Sequence, residues 1–207
     1  MKKKFLLLAI FAIAFAYIEA GVVVYLRELY YPEGFSFPLK LMPLRIFLVE
    51  LGRELSTLVV LFTAGIISGK NLGERLAYFL YGFALWDIFY YFWLKIILNW
   101  PESLLTWDIL FLIPVLWTGP VLAPIIVSLT LLLFAFAMVY FSEKKFPVKM
   151  SRLNWLLLIS ATLLVFLSFI WNFPSIIKEE IPKKFLWEFF LFGELLSIVA
   201  FLRIFIF

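Results

Sequence analysis

A chain of 207 residues that is 65% hydrophobic, 21% aromatic and only 15% charged cannot cover a soluble surface with polar groups. Its formal charge of +4 is carried by basic residues dispersed at the ends of apolar segments, the distribution of membrane topology signals, which speaks against a nucleic-acid partner. Cysteine and histidine are both absent, which excludes disulfide exchange, thiol catalysis, haem or zinc held by imidazole, and histidine-based triads.

Any chemistry therefore runs on carboxylates, Arg, Lys, Tyr and hydroxyls. The mean hydropathy of +1.06 predicts an all-α, polytopic membrane helix bundle, a single domain over residues 1–207. The lipid bilayer is its first partner.

In chain order, Lys2-Lys3-Lys4, an apolar run and Ala14-Phe15-Ala16 imitate a secretory signal peptide. The apolar stretch continues through Val22 to Tyr25, so it reads as a retained first span. Further spans are predicted at roughly 46 to 68, 75 to 98, 120 to 141, 153 to 172 and 185 to 207, each near the ~20 residues that a ~30 Å hydrocarbon core requires.

The stretch from Trp100 to Phe141 is about twice one span and is broken at Pro114, Gly119, Pro120 and Pro124. A full crossing by 104 to 117 would put Lys144, Lys145, Lys149 and Arg152 on the side opposite the N-terminal lysines, against the positive-inside tendency. The prediction is a non-crossing half-helix over roughly 104 to 117, followed by a helix start at Thr118-Gly119-Pro120. Six transmembrane helices result, in a plasma membrane of prokaryotic type, with both termini cytoplasmic.

Glu19, Glu50, Arg53, Glu54 and Asp87 interrupt these apolar segments. Ionisable groups at membrane depth are costly and mark pairs, ligands or proton paths. With this topology all five fall in the outer half or at its boundary, and Arg27, Glu28, Arg45, Lys95 and Asp108 lie at the outer rim. Glu50, Arg53, Glu54 and Thr57 stand at i, i+3, i+4 and i+7, and Ala64 and Ser68 extend the same stripe. Ala9, Ala12, Ala16, Glu19 and Ala20 form a small-residue stripe that permits close helix approach. Asp87, Tyr91 and Lys95 recur every fourth residue, with Tyr90 alongside. The fifth span carries no ionisable residue beyond its start and reads as scaffold or lipid-facing; Glu194 in the sixth is a further, more isolated candidate.

The expected ligand site comprises Glu19, Arg27, Glu50, Arg53, Glu54, Asp87, Tyr91 and Asp108. The first three glutamates and Asp87 exceed Arg53, the one deep base, and unpaired carboxylates in low dielectric take up protons or hold a cation. Glu19, Glu50, Glu54 and Asp87 are therefore also the metal-ligand candidates. An oxygen-only set favours Mg²⁺, Ca²⁺ or Mn²⁺, while protonation accounts for the same residues with no cofactor. A structural ion-pair cluster that sets helix register competes on even terms for Glu50, Arg53 and Glu54. Trp86, Trp93, Trp100 and Trp107 recur every seven residues, but Trp93 to Trp107 straddle the expected outer interface, where indoles collect anyway. Trp86, beside Asp87, is the exception.

Around Trp86-Asp87-Ile-Phe-Tyr-Tyr91, Trp100-Pro101, Trp107-Asp108-Ile-Leu-Phe-Leu-Ile-Pro114 and Gly119-Pro120-Val-Leu-Ala-Pro124, the chain resembles an uncharacterised family of bacterial integral membrane proteins. The resemblance runs from about Glu50 to Pro124 and implies a membrane protein without implying an activity. Three function classes follow from the residues. One is a transporter or binding protein for a cation, proton or small solute. Another is a membrane enzyme acting on a lipid headgroup or lipid-linked substrate, with a carboxylate as acid-base and Arg53 or Arg27 holding an anion. The third is a non-catalytic subunit whose charges pair with a membrane partner protein. The excess of acids over bases favours the first.

Overall fold

Helix α1 (Lys2–Tyr30) buries Phe5, Leu8, Ala12, Ala16, Glu19, Ala20 and Arg27, residues that fall on one helical face and whose small members allow a neighbour to approach closely. That neighbour is α3 (Leu72–Leu98), the central helix, which also packs on α2 (Leu44–Ser68) and α4 (Leu122–Glu143). The computed structural model describes residues 2–40, 42–145 and 150–205. Lys149 of the basic loop and the last two residues of the expected sixth span lie outside the described residues.

Local signals set the ends of α3. Asn71 caps its N-terminus by accepting the Glu74 N–H at 2.9 Å, and Asn99 ends it in the left-handed conformation at φ 53°. Lys95, an expected rim residue, donates to the carbonyls of Asn99 and Pro101 and so serves the helix end. In α2 the buried face is Glu50, Glu54, Thr57, Leu61 and Gly65, so two carboxylates lie on its packed side. Gly65 meets α3 so closely that a Cβ there would lie 2.7 Å from the Phe79 backbone nitrogen.

After α4 come α5 (Arg152–Ile170), the short α6 (Phe173–Ile177) and α7 (Trp187–Phe205). α5 and α7 form a pair, tied to α4 by the stacked rings of Phe134 and Phe201, 4.2 Å apart at 4°. Leu156, Ile159 and Leu163 of α5 are exposed, as side chains facing lipid are.

The segment expected as a half-helix is an antiparallel hairpin, and this is a correction. Strand β1 (Trp107–Phe111) pairs with β2 (Trp117–Pro120) in the register Trp107↔Pro120, Asp108↔Gly119, Ile109↔Thr118 and Phe111↔Trp117, with an irregularity between Ile109 and Phe111. Pro114 denies a helix an N–H and a continuous turn, while Trp107, Ile109, Phe111, Trp117 and Thr118 are strand formers. Gly119 and Pro120 accordingly sit in β2, and the fourth long helix starts two residues beyond the expected Pro120.

The protein is mostly helical and integral to the membrane. Among the described residues, Lys2–Tyr30, Leu72–Leu98, Leu122–Glu143 and the Arg152–Ile177 segment are long and apolar enough to cross. α2 and α7 stand outside that set: α2 carries Arg45, Glu50, Arg53 and Glu54, and α7 carries Glu188, Glu194 and Arg203.

Candidate functional site

Arg53 is the hub of the buried charge. Its Nε and Nη2 donate to Glu50 Oε2 at 3.0 and 2.8 Å, one turn back on α2, and its Nη1 donates to Glu19 Oε2 of α1. The guanidinium thus joins two helices while compensating two carboxylates. The glutamate side chains are each 6% exposed, whereas that of Arg53 is 25% exposed.

Glu54 faces the other way. Its Oε2 accepts the Leu112 N–H at 2.7 Å and its Oε1 the Ile113 N–H at 3.1 Å, so both oxygens serve the turn of the hairpin. Non-helical backbone within a membrane protein has to find internal partners, and here a carboxylate supplies them.

A second ion pair fastens the same hairpin to α1. Arg27 Nη2 donates to Asp108 Oδ1 at 2.9 Å, with both side chains buried. The Arg27 guanidinium also lies 3.6 Å from the centre of the Trp100 ring and 4.5 Å from that of Phe35. Burial pushes the Asp108 carboxyl up to about 6, against the opposing pull of Arg27. Tyr91 is buried beside this carboxylate.

Asp87 has a different environment. It is 7% exposed, and its Oδ2 accepts the Ser128 hydroxyl of α4 at 2.8 Å. Among the described residues no lysine or arginine pairs with it, and no hydrogen bond reaches its Oδ1.

Glu19, Arg27, Glu50, Arg53, Glu54, Asp87, Tyr91 and Asp108 all border one cavity of about 130 Å³. The structure therefore brings the whole sequence-predicted set together, from α1, α2, α3 and β1. It does not arrange Glu19, Glu50, Glu54 and Asp87 as metal ligands: among the described residues, no group of three or more acidic side chains is placed to hold a metal ion. Arg53 stands between Glu19 and Glu50, Glu54 is engaged by the hairpin backbone, and Asp87 turns toward α4.

Glu194 lies apart, accepting the Thr130 hydroxyl at 2.7 Å. The seven-residue tryptophan series does not form one cage. Trp86 borders the cavity, Trp93 donates to the Ile13 carbonyl, Trp100 lies under Arg27, and Trp107 packs edge-on to Phe185. Sequence reasoning missed Ser128, Phe111 and the N–H groups of Leu112 and Ile113. Ser128, a hydroxyl within an apolar span, was the one available signal; a backbone donor has none.

In comparison with known proteins, no family model matches the chain, and neither does a curated protein or a solved structure.

Proposed function

We propose that this chain binds or transports a cation, a proton or another small solute through an acidic pocket in the outer half of the bilayer. One observation carries the reading: among the described residues, five carboxylates and two guanidinium groups border one cavity. Arg27 offsets Asp108 and Arg53 offsets Glu19 and Glu50 in part, while among the described residues Glu54 and Asp87 are met by N–H and O–H donors alone. A positively charged occupant completes that balance.

The proposal includes six spans in a bacterial membrane with cytoplasmic termini. α2, at 25 residues, and α7, at 19, have the length, and the charges of α2 turn inward. Cysteines placed singly at Glu33 and Asn71 test the orientation: an impermeant reagent added outside should label the first and spare the second. The reverse pattern inverts the topology.

Binding is tested by melting the detergent-purified protein across about pH 5 to 8 and with Na⁺, Mg²⁺, Ca²⁺, Mn²⁺ and small amines. A ligand that binds only the folded state raises the melting temperature with concentration. A melting temperature indifferent to all of them overturns the reading.

A second reading rests on Arg53, the most exposed of the ion-paired side chains at the site. A lipid headgroup phosphate seated there would make the protein a membrane enzyme or a lipid-binding protein. Stabilisation by anionic lipid in place of cations would favour it.

A further inference from the structure

We propose that the inner part of the cavity is a subsite for a small organic ammonium ion, with Asp87 as its counter-ion and the rings of Trp86, Tyr90 and Phe111 as its walls. The inference rests on the solute-binding reading above and names the solute's chemical class.

Asp87 is more than nine-tenths buried, borders the cavity, and spends one oxygen on Ser128 while the other has no partner among the described residues. A carboxylate on a residue buried to that degree is stabilised by a further donor or a positive charge. The neighbouring walls are aromatic: Trp86 stacks on Tyr90 with centroids 6.1 Å apart and lies 6.4 Å from Phe111. Ring faces attract a cation but offer it no oxygen ligands, so they suit a weakly hydrated ammonium better than a compact, strongly hydrated metal ion.

Divalent cations such as Mg²⁺ and Ca²⁺ take six or more oxygen ligands, and among the described residues no group of three or more acidic side chains is placed to hold one. About 130 Å³ is also far more room than a bare ion or a proton requires and less than a drug-sized molecule occupies.

Equilibrium binding of radiolabelled choline to the purified full chain tests the proposal. Choline should bind saturably, be displaced by tetramethylammonium, and resist displacement by matched concentrations of Na⁺, K⁺ and Mg²⁺. Asp87→Asn should weaken binding about tenfold or more, and Trp86→Leu should weaken it several-fold, while Glu194→Gln, outside the cavity, should bind as wild type. The competition series on the wild-type chain decides the matter even if a cavity variant fails to fold. If inorganic cations or protons stabilise the protein and no ammonium binds, the ammonium subsite is overturned and the solute-binding reading stands. If neither binds, both fall.

Discussion

Arg27 and Asp108 are 81 residues apart in the chain, yet the guanidinium of one and the carboxylate of the other meet at 2.9 Å, buried on both sides. This contact holds the β1–β2 hairpin against α1. Because it is buried, it carries a desolvation penalty that its Coulombic attraction only partly offsets.

Asp108 accordingly predicts a pH effect. Its folded carboxyl titrates near about 6, above the ordinary 3.8. Between those values the folded chain keeps a proton that the unfolded chain has released, so its contribution to stability rises as pH falls through that window and is lost as pH rises through about 6. Wild type should therefore gain stability relative to Asp108→Asn on going from about pH 7 to about pH 4.5. Parallel melting curves of the two proteins over that range would rule the effect out.

Arg53 offers a test of charge compensation. Removing it leaves Glu19 and Glu50 buried without a cation, and breaking a buried pair from one side costs about 3 kcal/mol or more. Arg53→Ala should unfold in detergent at markedly lower denaturant than wild type. The triple replacement of Arg53, Glu19 and Glu50 by Met, Gln and Gln should recover much of the loss. A single variant within about 0.5 kcal/mol of wild type would show that the guanidinium is dispensable.

Glu54 makes a residue-resolved prediction. Its carboxylate is the acceptor for two hairpin N–H groups, and hydrogen bonds to a charged acceptor contribute roughly 1.5–3 kcal/mol. In Glu54→Ala the amides of Leu112 and Ile113 should exchange with deuterium faster while those in the middle of α3 keep their wild-type rates. Unchanged protection at 112 and 113 would mean the hairpin is held by other contacts.

Two glycines of α2 should respond in opposite directions. A methyl at Gly65 meets the Phe79 backbone at 2.7 Å, so Gly65→Ala should force α2 and α3 apart and cost about 1–3 kcal/mol. Among the described residues, a Cβ built at Gly52 meets nothing within 4 Å beyond its own helix backbone, so Gly52→Ala should stabilise by up to about 1 kcal/mol through helix propensity alone. Equal melting shifts for both would show that the close approach at Gly65 is not limiting.

The amino-acid sequence by itself determined the membrane class, the chemistry excluded by the lack of Cys and His, and the faces on which Glu19, Glu50, Glu54 and Asp87 lie. These follow from composition and from the 3.6-residue period, which are local properties of the chain. Only the tertiary structure decided what each charge meets. The spacing of Arg53 made Glu50 an evident partner at i−3, but no spacing relates it to Glu19 on α1 or Glu54 to the backbone of Leu112 and Ile113. The hairpin was lost for the same reason. Pro114 announced that a helix would break, whereas the alternative was selected by partners distant in sequence: Arg27 for Asp108, Glu54 for the turn, and α5 against β2. A local pattern specifies what a segment can be. Which unpaired donors and acceptors await it at depth depends on helices brought there by the rest of the chain.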